Sequence, residues 1–346
     1  MTPKSDDLRI TAVRPLIAPA VLAEEIPLTP GASEFVVRSR RAVEAVLDGR
    51  DARVLLVVGP CSIHDVRAAL EYADKLRALA ERVRERVLVV MRVYFEKPRT
   101  VVGWKGLIND PDLDGSYHIN KGLRIARGLL AEIAARELPA GTEFLDTTFG
   151  QFYADLVSWG AIGARTAESQ VHRELASGLS MPVGIKNRTD GDVRVAVDAI
   201  RAARARHIFP SLTKEGAPAI LETSGNPYAH LVLRGGAKPN WDAASVSAAA
   251  ELLREHALLD AIMVDCSHAN SERAPEKQRD VALAVAAQRR AGQNALRGLM
   301  VESHLVGGKQ EPSAQPLAYG KSITDACLGW DATERLVLAL AEVLGR

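Results

Sequence analysis

Short apolar runs alternating with longer amphipathic stretches organise this chain. The runs read as strands at Val54–Val58, Val87–Met91, Thr142–Leu145, Ala161–Ala164, Val183–Ile185, Leu231–Leu233, Ile262–Val264 and Leu299–Val301. They are continuous rather than alternating, the pattern of strands buried on both faces. Between them, Val66–Arg84, Ile119–Arg136, Gln170–Gly178, Val193–Arg204, Ala243–Glu255 and Glu276–Arg289 carry helical periodicity, and a closing helix falls near Ala332–Leu344. Alternation over about eight strands predicts an α/β fold, a parallel sheet closed into a (β/α)8 TIM barrel. One pair breaks the rule. His207–Thr213 and Ala219–Thr223 are joined by a turn with Gly216 and Pro218 that is too short for a parallel crossover, which predicts an inserted antiparallel hairpin, residues 207–223, outside the barrel. Residues 1–50 precede the first strand and read as an extension packing on the barrel or on a partner subunit, leaving 51–346 for the barrel itself. No internal repeat or low-complexity segment is present.

At 346 residues the chain suits one barrel with additions, and a formal net charge of +1 argues against a nucleic-acid or membrane-surface partner. The first residues have no signal-peptide core and no uncharged stretch is long enough to span a bilayer, so a cytoplasmic protein is expected. Cys61, Cys266 and Cys327 are odd in number and lack framework spacing, which leaves free thiols or a metal ligand rather than a disulfide scaffold.

The candidate chemistry lies at strand ends. Met91-Arg-Val-Tyr-Phe-Glu-Lys-Pro-Arg-Thr100 takes an apolar strand directly into Arg92, Lys97 and Arg99, and the proline keeps the following residues extended. Alone this is a solvated basic loop. The same form recurs in Ala161-Ile-Gly-Ala-Arg165, Pro182-Val-Gly-Ile-Lys186 and His230-Leu-Val-Leu-Arg234. In a parallel barrel those ends converge on one face, and a ring of guanidinium and ammonium groups there implies a small polyanionic substrate. Cys61 past the first strand, His268 past the seventh, Glu302 at the eighth and Asp325 in the loop beyond supply a thiolate, an imidazole and two carboxylates. That set suits Mn²⁺, Fe²⁺, Co²⁺ or Zn²⁺ better than Mg²⁺. Each also has an ordinary reading: a small core residue, a satisfied polar group, an ion-pair partner and a helix cap.

Gly59-Pro-Cys-Ser-Ile-His-Asp65, Tyr94-Phe-Glu-Lys-Pro-Arg-Thr100, Gly103-Trp-Lys-Gly106, Trp159-Gly-Ala-Ile-Gly-Ala-Arg165, Ser169-Gln-Val-His-Arg-Glu174, Leu233-Arg-Gly-Gly236, Asp265-Cys-Ser-His-Ala-Asn270 and Tyr319-Gly-Lys-Ser-Ile-Thr-Asp325 resemble the type I 3-deoxy-D-arabino-heptulosonate-7-phosphate (DAHP) synthases over nearly the whole chain. The resemblance implies a metal-dependent transferase on a (β/α)8 barrel, condensing phosphoenolpyruvate with erythrose 4-phosphate at the head of the shikimate pathway. It also implies a homodimer or homotetramer. On the matching positions, Arg165, Arg234 and the Ala164 amide would hold the phosphoenolpyruvate phosphate, and Arg92, Lys97 and Lys186 its carboxylate. Arg99 and Thr100 would hold the erythrose 4-phosphate phosphate. Cys61, His268, Glu302 and Asp325 would ligate one divalent metal ion, and Lys97, Glu143 and His268 are candidates for proton transfer.

The resemblance extends to an aromatic amino-acid effector. Asp6, Asp7, Gly150, Gln151, Leu175, Leu179, Ser180, Phe209, Ser211 and Leu221 align with inhibitor-binding positions. Relatives sensitive to Phe or Tyr tend to carry proline where this chain has Gly150. Thr148-Phe-Gly150-Gln-Phe152, Asn109-Asp-Pro-Asp-Leu113 and Ser224-Gly-Asn-Pro-Tyr228 look more like the Trp-sensitive isozymes, so Trp is the expected inhibitor. Two alternatives stand beside this reading: a 3-deoxy-octulosonate 8-phosphate synthase-like enzyme, against which the Lys97-Pro-Arg-Thr100 loop argues, and an inactive amino-acid-binding regulatory paralogue.

Overall fold

The computed structural model describes residues 4–314 and 316–345. In chain order the elements begin with α1 (Pro19–Glu25) and α2 (Pro30–Asp48), followed by β1 (Val54–Gly59), α3 (Val66–Val83), β2 (Val87–Arg92), α4 (Ile119–Ala135) and β3 (Ala140–Glu143). Next come α5 (Gly150–Tyr153), β4 (Trp159–Ile162), α6 (Gln170–Gly178), β5 (Val183–Lys186), α7 (Arg194–Arg204) and the pair β6 (Ile208–Leu212) and β7 (Pro218–Glu222). The chain ends with β8 (His230–Leu233), α8 (Ala243–Glu255), β9 (Ile262–Asp265), α9 (Lys277–Arg290), β10 (Leu296–Glu302), β11 (Val306–Lys309), β12 (Lys321–Ser322) and α10 (Trp330–Gly345).

Eight strands close a parallel barrel in the order β1-β10-β9-β8-β5-β4-β3-β2, the (β/α)8 fold expected from the alternation. β6 and β7 pair antiparallel outside it. Every residue of β1 is buried, which is why its sequence is uniformly apolar. Its alternate side chains nonetheless serve two cores. Leu55 and Val57 join Val90, Trp159, Val232, Met263 and Met300 in a cluster filling the barrel, while Val54, Leu56 and Val58 pack with the surrounding helices.

The extension contains a helix that the apolar pattern alone did not reveal. Pro30 opens α2, the Thr29 hydroxyl accepts the Ala32 N–H at 3.3 Å, and Gly49 at φ 84° ends it in the left-handed region. Val43, Val46 and Leu47 of α2 belong to the barrel-filling cluster, so this helix closes the N-terminal mouth.

Two strands sit two residues earlier than expected: β3 is 140–143 rather than 142–145, and β4 is 159–162 rather than 161–164. Gly141 and Gly160 make the start of each strand look weak in sequence. Glycine is needed there because a Cβ on Gly141 would stand 3.1 Å from the Trp159 ring and one on Gly160 2.9 Å from the Phe144 ring. The short β11 and β12 form a separate two-stranded parallel sheet that no apolar run announces.

Candidate active site at the C-terminal pole of the barrel

Arg92, Glu143, Lys186, Asp265 and Glu302 are the last residues of β2, β3, β5, β9 and β10, and Arg234 follows β8 by one residue. Parallel closure therefore brings them to one end. There all of them but Asp265, which is fully buried behind Lys186, line a cavity of about 410 Å³ together with Lys97, Arg99, Ala164, Arg165, His268 and Asp325. Thr100 is exposed and does not line it. Arg273, Lys309 and Gln278 do line it and were missed, because Arg273 lies in a loop, Gln278 in α9, and Lys309 ends the short β11, whose Val-Gly-Gly-Lys sequence is not an apolar run.

Arg92 organises one side of the cavity. Its Nη2 donates to Glu302 Oε1 at 3.0 Å, with both side chains 1% exposed. The same guanidinium donates to the Pro60 carbonyl at 3.1 Å and the Cys61 carbonyl at 3.2 Å, and lies 3.5 Å over the Tyr94 ring. Lys97 Nζ is 2.9 Å from Cys61 Sγ and 3.8 Å from Asp325 Oδ2. Burial acts against the Lys97 charge, but Cys61 and Glu302 outweigh it and hold its pKa above the usual lysine value. Opposite, Lys186 Nζ donates to Asp265 Oδ2 at 2.7 Å, and Ser267 Oγ to Asp265 Oδ1 at 2.6 Å. Burial would raise the Asp265 pKa, and the fields of Lys186 and His268 reverse that and hold it well below the usual range.

Arg165 and Arg234 differ from these pairs. Neither forms an ion pair among the described residues; Arg165 donates to the Pro98 carbonyl at 3.1 Å, and the buried Nε of Arg234 has no hydrogen-bond partner. Burial and the nearby Arg165 and Arg273 charges depress the Arg234 pKa, although Asp265 partly offsets them. Two guanidiniums left without counter-ions at a cavity wall form a receptor for an oxyanion.

Cys61 Sγ, one carboxylate oxygen of Glu302 and one of Asp325 lie within 4.8 Å of one another. His268 lines the same cavity but stands outside that trio, with Nε2 3.7 Å from Asp265 Oδ2, and burial keeps its pKa below the usual value. Burial and Glu302 push the Cys61 thiol up to about 11. A thiol and two carboxylates so close fit a divalent cation, which would displace the thiol proton and cancel the repulsion. Cys266 and Cys327 are buried and free.

Eight of the ten effector candidates lie on α5, around the end of α6, or on one face of the hairpin. Phe209 opposes Leu221 and Ser211 opposes Ala219, so these side chains share the half-buried face of the hairpin while Ile208 and Ile220 point to solvent. The hairpin turn is tied inward: Lys214 Nζ donates to the Gln151 carbonyl at 2.6 Å, and the Ala20 N–H to the Lys214 carbonyl at 2.7 Å. Ser177 Oγ, on α6, is 2.7 Å from Thr223 Oγ1. Leu175, Leu179 and Ser180 lie at or just beyond the end of α6, and Gly150 opens α5. Asp6 and Asp7 form a local turn in the exposed N-terminal arm, and among the described residues no hydrogen bond joins either to the hairpin.

A (β/α)8 barrel with cations and a three-donor group converging at its C-terminal pole defines an enzyme acting on small anionic substrates. The sequence profile of the DAHP synthetase I family matches residues 27–338, and the chain belongs to that family. It is 55% identical over 342 residues to the Trp-sensitive phospho-2-dehydro-3-deoxyheptonate aldolase of Enterobacter agglomerans, covering 99% of this chain and 98% of that one. It is also 55% identical over 345 residues to the Phe-sensitive enzyme of Escherichia coli K12, covering 99% of each. The solved phospho-2-dehydro-3-deoxyheptonate aldolase of Francisella tularensis SCHU S4 superposes with a TM-score of 0.95 at 48% identity, over 97% of this chain and 99% of that one.

Directly before Lys97, Glu96 is 3% exposed. Burial first, then Asp146 and Glu143, raises its pKa from 4.5 to about 8. The folded state then holds a proton that the unfolded state releases, so this group's contribution to stability falls as pH rises between those values and levels off above the upper one. Thermal unfolding of Glu96→Gln, whose side chain cannot ionise, should therefore show the wild type losing stability relative to the variant from about pH 5 to 8. A difference between the two that does not vary with pH would contradict the assignment.

Proposed function

We propose that this chain is a DAHP synthase that condenses phosphoenolpyruvate with erythrose 4-phosphate, uses one divalent metal ion, and is feedback-inhibited by an aromatic amino acid, with Trp as the effector. The observation that carries this reading is the pair of guanidiniums without counter-ions, Arg165 and Arg234, lining the same cavity as Glu302 and Asp325, whose carboxylates lie within 4.8 Å of the buried Cys61 Sγ. That arrangement fits a phosphate-bearing nucleophile held beside an electrophile.

In this reading Arg165, Arg234 and the Ala164 N–H bind the phosphoenolpyruvate phosphate, and Arg92, Lys97 and Lys186 face its carboxylate. Arg99 and Thr100 take the phosphate of erythrose 4-phosphate. Holding two anions side by side is itself a large part of the rate enhancement, because the cations offset a repulsion that keeps the reactants apart in water. Cys61, His268, Glu302 and Asp325 would hold the metal, which when bound supplies a Lewis acid for the aldehyde. The C3 carbon of phosphoenolpyruvate bonds to the aldehyde carbon, whose oxygen takes a proton. Water then adds to the cationic C2 and gives up its protons, and cleavage of the bond between C2 and the bridging phosphate oxygen releases inorganic phosphate and leaves a ketone at C2. Lys97, held charged, is suited to give a proton, while His268, held neutral by burial, is suited to accept one from water; Glu143 is the further acceptor at the cavity.

Residues 51–346 constitute the catalytic unit in this proposal, and residues 1–50 serve assembly and regulation. Leu8, Ile10 and Val13 are 65%, 57% and 86% exposed, an apolar arm suited to a second copy of the chain in a homodimer or homotetramer. The near full-length likeness to phospho-2-dehydro-3-deoxyheptonate aldolases supports action in the cytoplasm on soluble substrates; among the described residues no helix is long and apolar enough to cross a membrane.

Phosphate release from the two substrates should vanish with a chelator and return with Mn²⁺, and Cys61→Ser should behave like the chelated enzyme. Full activity of that variant in chelator would remove the metal role. Arg99→Ala should raise KM for erythrose 4-phosphate at least about tenfold more than KM for phosphoenolpyruvate, with Arg234→Ala doing the reverse. Equal effects on both would refute the assignment of the two phosphates. Titration with Trp, Phe and Tyr should give preferential inhibition by Trp, which Ser180→Phe should relieve while turnover persists. Preferential inhibition by Phe or Tyr would show that Gly150 does not select the effector.

A further inference from the structure

Glu96 is adjacent to Lys97 in sequence but is engaged on the opposite side of the loop. Its Oε1 and Oε2 accept the Asp146 N–H at 3.2 and 3.4 Å, and among the described residues no cation pairs with it. Asp146 Oδ1 in turn accepts the N–H groups of Thr148 and Phe149 at 2.7 and 3.3 Å, fixing the turn that leads into α5. Tyr153, in α5, packs edge-on to Phe95 with ring centroids 5.9 Å apart and stacks on Phe144 at 6.0 Å. The substrate loop is pinned from the other side too. Glu96 bridges to Gly106, where an added Cβ would stand 2.7 Å from the Glu96 Cα, and the Lys97 N–H donates to the Lys105 carbonyl at 2.9 Å. From α5 the connection continues to the hairpin through Lys214 and the Gln151 carbonyl.

We propose that Glu96 is a positioning residue: a strut that fixes the Arg99–Thr100 end of the loop against the turn leading into α5, so that a ligand packed between α5 and the hairpin is felt at the erythrose 4-phosphate end of the site, while Lys97 Nζ keeps its own anchors, Cys61 and Asp325. This rests on the roles assigned above to Arg99 and Thr100 and on the effector reading. Glu96 touches no reacting atom. Because its carboxyl is held protonated by burial, glutamine reproduces both its shape and its hydrogen-bonding capacity.

The test compares Glu96→Ala and Glu96→Gln with the wild type, all loaded with Mn²⁺. In Glu96→Ala, KM for erythrose 4-phosphate should rise about tenfold while KM for phosphoenolpyruvate stays within about twofold, and inhibition by the aromatic effector should weaken by a similar factor; Glu96→Gln should restore all three. Hydrogen exchange supplies a readout independent of turnover: amides of residues 97–106 and 146–153 should lose protection in Glu96→Ala and keep it in Glu96→Gln. Equal rises in both KM values, failure of Glu96→Gln to rescue, an unchanged inhibition constant, or unchanged exchange would each overturn the proposal. A wild type that releases no phosphate from the two substrates sinks the functional reading instead, and the exchange comparison still decides whether Glu96 is the strut.

Discussion

The buried ion pair between Arg92 and Glu302 is the interaction on which the site depends. The two residues end β2 and β10, the strands that flank β1, so the pair spans the strand that leads to Cys61. The approach is close: a Cβ on Gly59 would stand 2.7 Å from the Arg92 carbonyl oxygen. With the strand ends this near, the remaining Arg92 donors reach the Pro60 and Cys61 carbonyls and fix the turn that presents the thiol. A pair this dry gains little net stability, since desolvation consumes much of the Coulombic attraction. Losing one partner is different, at about 3–5 kcal/mol, because the other is left as an uncompensated buried charge. The pair therefore fixes geometry more than it adds stability, and it joins the cationic wall of the cavity to the Cys61, Glu302 and Asp325 group in one contact.

The remaining charges divide into those neutralised within the fold and those left for a ligand. Lys186 is matched by Asp265, and Lys97 by Asp325, with the Cys61 thiol as a further hydrogen-bond contact. Arg165 and Arg234 are not matched, and their mutual repulsion is sustained by barrel closure, which sets the strand ends whatever charges they carry. The opposite pole has the contrary design. There α2 drives Val43, Val46 and Leu47 into the barrel mouth, so the interior is filled from below, while the cavity lies at the charged pole.

The barrel was legible in the sequence because both faces of its strands are buried, which writes them as uninterrupted apolar runs such as Val54–Val58. The hairpin was legible from the shortness of its connection. β3 and β4 were displaced by two residues because Gly141 and Gly160 accommodate aromatic rings, a packing demand that apolar periodicity does not record. Arg92, Arg165, Lys186 and Arg234 were visible because each closes an apolar run. Arg273 and Lys309 were not, since a cation that no apolar run precedes looks alike whether it faces a cavity or bulk water. Glu96 illustrates the same loss of information: nothing in Tyr94-Phe-Glu-Lys-Pro-Arg-Thr100 says that its carboxyl turns away from the neighbouring cations toward Asp146.

In the proposed reading effector choice is the finest distinction, and overall similarity does not reach it. Identity of 55% to a Trp-sensitive enzyme and 55% to a Phe-sensitive one leaves the matter to local packing. At Gly150 that packing is explicit. The Phe144 ring lies where an added Cβ would meet two of its carbons at 3.3 Å, so a larger residue at 150 would press on Phe144. Phe144 stacks on Tyr153, and Tyr153 packs on Phe95, the residue before Glu96. A change at position 150 thus bears on the same aromatic stack that supports the substrate loop. In the proposed reading, selection of an effector by volume at this position and its coupling to the loop would both act through this one packed column, which ties the two to the identity of residue 150.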